Sequence, residues 1–283
     1  MISDIAYAPG NLLDLHLPPV PNGATSPLLV WTGGSAWMAD NGKDSAGPFA
    51  EAFNPRGYAV AGVSIRSSSQ ATFPAQLHDI RAAMDWLRSH AGEYRIDPHR
   101  LAVMGDSSGG WTAVMAALTC GVPAVAFYPP VDFLRMDEQM LPGTRASFNE
   151  LLGLTDCHND PGSPESLLVG YPIQTRPQAV AATNPINHLS DHDPPIMILH
   201  GQEDQLVPHG QSVLLYNALR ANGSDATFFS VPGAGHDWRQ VLDPANHVRH
   251  TVHRTQAGTE QVSVGTPAPS WDTIDDFLRQ ALG

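Results

Sequence analysis

Apolar residues along this chain alternate between short continuous runs and longer stretches with helical spacing. Pro27-Leu28-Leu29-Val30-Trp31 reads as a buried strand that ends at Gly33-Gly34, and Tyr58 to Ile65 reads as a second. Between them, Gly47 to Asn54 has room for a short helix. Pro74 opens an amphipathic stretch in which Leu77, Ile80, Ala83, Met84 and Leu87 recur three and four residues apart, the spacing of one helix face. Leu101-Ala102-Val103-Met104 is a short strand running directly into Gly105, and Trp111 to Leu118 reads as the helix after it. Ala124 to Tyr128, Ile196 to Leu199 and Ala226 to Val231 are further strands, with helices predicted over Gly210–Ala221 and Trp271–Leu282. Strands apolar on every position, alternating with helices, predict a mostly parallel sheet covered on both faces, the α/β class.

Residues 131–192 break this rhythm. They are rich in Pro, Gly, Asn and Asp, with short helical pieces near Phe148–Leu152 and Pro164–Val169. A long irregular excursion inside a compact domain is usually functional, so 131–192 is expected to be a cap-like insertion within one domain spanning 1–283. A chain of 283 residues, 42% hydrophobic and 15% charged, can bury a large core without staples.

Charge narrows the partners. The net charge is −13 and the 15 Lys and Arg are dispersed, so neither nucleic acid nor an anionic membrane surface is expected, and a neutral small molecule suits the field better than an acidic one. Met1 to Leu17 has neither a charged start nor a continuous apolar centre, and no apolar run reaches membrane length; the expectation is a cytoplasmic protein. Cys120 and Cys157 match no zinc spacing and are expected to be free thiols. An apolar face on the last strand or helix would support a homodimer.

The chemistry centres on Gly105-Asp106-Ser107-Ser108-Gly109-Gly110, a G-x-S-x-G sequence between a predicted strand and a predicted helix. Small residues two before and two after the serine let strand and helix pack closely around a tight turn. Ser107 has glycines at both offsets, whereas Ser108 would have Asp106 where a small residue is wanted, so Ser107 is the candidate nucleophile. A serine hydroxyl needs a base. Among 13 histidines, His236 in Gly233-Ala234-Gly235-His236-Asp237 follows the last strand, at the same sheet edge as the elbow. The acid is expected between serine and histidine in the chain, and Asp204 lies four residues past a strand end. Glu203 is the next choice, with Asp225 and Asp237 less well placed; His200 reads as structural. The trio His247, His250 and His253 lacks a carboxylate or Cys to complete a metal site, so no metal is expected. The backbone N–H of Ser108 is one candidate oxyanion donor, and the loop Thr32-Gly33-Gly34-Ser35-Ala36-Trp37 offers the second, Ser35 first, with Ala36 or Gly34 beside it. Trp37, Trp111 and Trp238 are candidates to line a substrate pocket.

These residues resemble the α/β-hydrolases of the hormone-sensitive-lipase and acetyl/feruloyl esterase group, the BD-FAE-like type. The resemblance is widest in Phe73-Pro74-Ala75-Gln76-Leu77-His78-Asp79, through Trp86-Leu87-Arg88, Tyr94, Ile96-Asp97-Pro98 and Arg100, into the elbow. It resumes at Ser163-Pro164-Glu165-Ser166, Gly170, Pro172-Ile173-Gln174, Asn184-Pro185-Ile186 and the Asp204 loop, and closes at Gly233–His236. The chain departs from the group where a His-Gly-Gly motif usually precedes a Trp: no His stands there, and Ser35-Ala36 replace glycines. The resemblance implies an α/β-hydrolase fold and a cofactor-free serine carboxylesterase acting on short acyl or arylacyl esters through an acyl-enzyme. An amidase of the kynurenine-formamidase-like kind, a peptidase, and a non-catalytic binding protein are the alternatives.

Overall fold

The computed structural model describes residues 1–21, 23–244, 250–265 and 269–283. Among the described residues ten strands form one sheet: β1 (Ile2–Ala8), β2 (Asn11–His16), β3 (Ser26–Thr32), β4 (Ala59–Val63), β5 (Ile96–Asp106), β6 (Ala124–Phe127), β7 (Ile196–Gly201), β8 (Ala226–Val231), β9 (His250–Gln256) and β10 (Thr259–Gly265). Their order across the sheet is β1-β2-β4-β3-β5-β6-β7-β8-β9-β10. The six strands from β4 to β8 in that order run parallel, and antiparallel hairpins flank them on both sides.

The helices are α1 (Gly47–Phe53), α2 (Ala75–Ser89), α3 (Ser108–Cys120), α4 (Met136–Gln139), α5 (Arg145–Leu152), α6 (Pro164–Val169), α7 (Pro177–Val180), α8 (Gly210–Asn222), α9 (Trp238–Val241) and α10 (Trp271–Leu282). Continuous apolar strands make sense because side chains alternate between two cores. Leu28, Val30, Leu101, Val103, Ile196 and Ile198 point into the core closed by α2, α3 and α8. Leu29, Trp31, Ala102, Met104, Met197 and Leu199 enter the other, with Phe49 and Phe53 of α1 and Ile274 and Leu278 of α10.

The parallel core matches the predicted strands to within a few residues, and the helix after the elbow begins earlier than expected, at Ser108 rather than Trp111. The two flanking hairpins were not expected. Their outer strands carry little buried apolar surface: every residue of β10 from Thr259 to Val264 is exposed, and β1 buries only Tyr7. Segment 131–192 contains short helices and turns, and its Phe133, Met136, Leu168, Ile173 and Val180 join the first core rather than building another. Among the described residues no helix is long and apolar enough to cross a membrane. Cys120 and Cys157 are both free.

Strands β3 and β5 are neighbours, yet the chain leaves β3 toward β4 on one side and leaves β5 toward β6 on the other. This reversal opens a crevice at the carboxyl edge, where open α/β sheets bind ligands. The loops after β3, β5, β7 and β8 all end at this edge.

Candidate active site

Ser107 sits in the turn between β5 and α3 with φ 54° and ψ −125°, a conformation an L-residue adopts only under constraint. The constraint is close packing. A Cβ on Gly109 would overlap the Thr32 carbonyl of β3, and one on Gly105 would overlap the Gly109 carbonyl. The two glycines of the motif therefore let α3 start against β3 and β5, which pushes Ser107 out at the tip.

His236 reaches Ser107 from the loop after β8. Its Nε2 lies 3.0 Å from Ser107 Oγ and its Nδ1 lies 2.7 Å from Asp204 Oδ2. A carboxylate at Nδ1 fixes the proton on that nitrogen and leaves the Nε2 lone pair facing the hydroxyl. Asp204 is buried, and its other oxygen accepts the N–H groups of Leu206 and Val207, both at 2.9 Å. Burial alone would push this carboxyl up. The hydrogen bonds from His200 and His236 outweigh it and hold Asp204 well below the usual carboxylate range.

His200 contributes more than packing. Its Nε2 lies 3.2 Å from Asp204 Oδ2 and 3.0 Å from the Val207 carbonyl, while Nδ1 meets Ser212 Oγ at 2.7 Å. Glu203 is exposed, Asp225 lies at the amino end of β8, away from the elbow, and Asp237 caps α9 by accepting the Arg239 N–H. None of the three is hydrogen-bonded to His236.

Asp106 and Tyr128 were missed as site residues. Gly34 N–H donates to Asp106 Oδ1 at 2.6 Å, Tyr128 Oη donates to Asp106 Oδ2 at 3.4 Å, and Trp238 N–H donates to Tyr128 Oη at 3.0 Å. The Tyr128 ring lies 4.3 Å, centroid to centroid, from that of His236. One chain of contacts thus ties together the loop after β3, the elbow, the end of β6 and the histidine loop. Burial pushes the Asp106 carboxyl and the Tyr128 hydroxyl up. The available signal was positional: Asp106 is the variable residue inside the elbow motif, and Tyr128 ends a strand before Pro129-Pro130.

The N–H of Ser108 opens α3 and has no intrahelical acceptor. In the loop after β3, Ser35 N–H donates to Ser108 Oγ at 2.9 Å and Gly34 N–H is held by Asp106. Ala36 follows with φ 50°, and no protein acceptor takes its N–H among the described residues. In this loop the Gly34 and Ser35 N–H groups are thus engaged in bracing, whereas those of Ala36 and Trp37 meet no protein acceptor among the described residues.

The tryptophans separate. Trp111 is fully buried and donates Nε1–H to the Thr183 carbonyl at 2.8 Å, so it anchors the 131–192 insertion to α3 and cannot line a pocket; the expectation for it is corrected. Its place in the first turns of α3, facing inward, was not readable from residue type. Trp37 is also buried, edge-on to Trp111 and Phe133 at 5.4 Å each, beneath the strained loop. Trp238 is half-buried at the rim against Phe49 and Trp271, with the Arg239 guanidinium 4.4 Å above its ring. Among the described residues no group of three or more His, Cys, Asp or Glu could hold a metal ion. His247 lies outside the described residues; His250 is buried, and His253 packs between Tyr216 and Phe228.

Sheet order, strained serine and convergent loops define an α/β-hydrolase. The chain belongs to the BD-FAE family, whose model matches residues 13–219. It is similar to Esterase LipQ of Mycobacterium tuberculosis (strain ATCC 25618 / H37Rv), 26% identical over 94% of this chain and 66% of that protein. The probable carboxylic ester hydrolase LipM of the same organism is 29% identical over 76% of this chain and 50% of LipM. The chain thus spans half to two thirds of these curated relatives. Among solved structures, a truncated form of a carbohydrate esterase from gut microbiota superposes with a TM-score of 0.78 at 28% identity, covering 99% of this chain and 95% of that one. An esterase from Thermogutta terrifontis with propionate bound shares the fold at 21% identity and a TM-score of 0.61, over 81% of this chain and 80% of that one.

Proposed function

We propose that this protein is a serine carboxylesterase that hydrolyses neutral short-chain acyl or arylacyl esters, of the acetyl or feruloyl type, through an acyl-enzyme. The observation that carries the reading is the single imidazole of His236 spanning Ser107 Oγ and a buried Asp204 carboxylate. The Ser107 proton passes to Nε2 as Oγ attacks the ester carbonyl. The oxyanion is held by the N–H groups of Ser108 and Ala36. His236 then protonates the leaving alcohol, and water, activated by the same nitrogen, cleaves the acyl-enzyme. Asp204 keeps the imidazole oriented and stabilises its charged form.

The names of the relatives support ester hydrolysis, the carbohydrate esterase among the structures supports a hydroxyl-rich alcohol, and a net charge of −13 suits a neutral substrate. Packing of Trp37 against Phe133 beneath the loop after β3 supports a short acyl group over a long chain. The test is hydrolysis of p-nitrophenyl esters from acetate to dodecanoate by wild type and Ser107→Ala. The expected result is a maximum at acetate to butyrate and a fall of about 10⁴-fold or more in the variant. Undiminished turnover by Ser107→Ala contradicts the assignment, and faster cleavage of the matching anilide than of the ester favours an amidase.

A further inference from the structure

Segment 131–192 is held to the chain around the acid loop by buried polar contacts: Gln211, at the start of α8, accepts the N–H groups of Val131 and Asp132, and His158 meets the acid loop itself. His158, in a turn after α5, has no more than 1% of its side chain exposed. Its Nδ1 lies 2.8 Å from Asp137 Oδ1 on α4, and its Nε2 lies 3.2 Å from the Leu206 carbonyl. The N–H of that same Leu206 donates to Asp204. A carbonyl has no proton to give and an ionised carboxylate has none either, so a ring hydrogen-bonded to both at once carries a proton on each nitrogen.

The surroundings are built to hold that charge. The backbone N–H of His158 also donates to Asp137 Oδ1 at 3.0 Å, its carbonyl accepts the Ser163 hydroxyl at 2.7 Å, and Phe148 packs on the ring at 4.3 Å. The titratable and charged groups that face it are Asp137 on α4, Glu165 on α6 and, behind Asp137, Arg145 on α5; from the acid loop it meets the Leu206 carbonyl. Burial works against the charged ring, but Glu165 and Asp137 outweigh it and raise His158 above its ordinary value, while Asp137 is held below its own. Burial pushes the Glu165 carboxyl up, and the neighbouring His158 charge acts against that shift.

We propose that His158 is a positioning residue for the hydrolysis: as a buried imidazolium it fastens the insertion to the Leu206 carbonyl and so fixes the loop that presents Asp204 to His236. This rests on the esterase reading for its effect on turnover, but not for the clamp itself. Nothing moves between atoms in the reaction on its account. It fixes where the carboxylate stands, and small displacements of a catalytic group cost rate more than binding.

Two variants separate positioning from packing. Asn in place of His158 reaches Asp137 but not Leu206, whereas Gln extends an amide toward the Leu206 carbonyl. With both folded by circular dichroism, H158N is expected to lose about tenfold in kcat with little change in KM, and H158Q to stay within about threefold of wild type. Equal loss in both, or wild-type kcat in H158N, overturns the proposal. Should H158N not fold, Asp137→Asn carries the test. It keeps a partner at Nδ1 and removes the charge that holds the proton, so the alkaline limb of its pH–kcat curve is expected at lower pH than in wild type; an unmoved limb overturns the proposal. Nitrogen-15 shifts of the His158 ring in the wild type read the clamp without catalysis. Two protonated nitrogens at neutral pH are expected and a neutral ring overturns it, whereas absence of any ester turnover contradicts the esterase reading alone.

Discussion

Asparagine at 204 keeps the size of the acid and removes its charge. The Leu206 and Val207 N–H groups would retain an acceptor, but the amide would no longer fix the proton on His236 Nδ1. Asp204→Asn is therefore expected to lower kcat by about 10⁴-fold with a smaller effect on KM, as steady-state kinetics would show; a loss under about tenfold would mean that His236 is oriented by other contacts. At this scale the sequence was most legible where chemistry restricts residue type. A serine flanked by glycines, a histidine past the last strand and an acid between them follow from what acyl transfer requires. Burial was not legible: Trp111 and Trp37 have the composition of pocket residues and the positions of core residues. Asp106, Tyr128 and His200 act by contacts between loops far apart in the chain, which no local spacing encodes.

Elements explain why the elbow tolerates so little change. Helix α3 begins where a Cβ on Gly109 would meet the Thr32 carbonyl, and backbone cannot yield there as a flexible side chain can. Gly109→Ala is expected to cost about 2–4 kcal/mol, by overpacking at a backbone contact, and to abolish most activity; urea unfolding gives the first and ester turnover the second. By contrast, Ser270 caps α10 through reciprocal bonds with Thr273 at a partly buried end. Ser270→Ala is expected to cost about 1 kcal/mol with activity unchanged. The parallel strands and their helices were readable because burial on both faces forces apolar runs. The flanking hairpins were not, because strands such as β10 are held by backbone pairing, with β9 as partner, and bury little side-chain surface.

Across the whole molecule, buried titratable groups tie stability to pH. Burial, aided by nearby His200, pushes the His209 imidazole from 6.5 down to about 3. Between those values the unfolded chain binds a proton that the folded one refuses, so stability falls as pH drops below about 6.5. Asp204, held below the usual carboxylate range, adds stability that persists above that range and is lost only in stronger acid. His209→Gln, which can still face Ser230 Oγ, is expected to flatten the pH dependence of the unfolding free energy between about pH 4 and 6.5. An identical slope in the variant would place the acid sensitivity elsewhere. The loops after β3, β5, β6, β7 and β8 meet at one edge of this sheet, and the site exists only as their product.

The most direct test of that site is to trap what it makes. Wild type mixed with p-nitrophenyl acetate, quenched in acid within the first turnovers and digested, should yield the peptide containing Ser107 with one acetyl group on that serine, and His236→Ala should yield none. An acetyl group on another residue, or ester turnover with no modified serine, would contradict nucleophilic catalysis by Ser107.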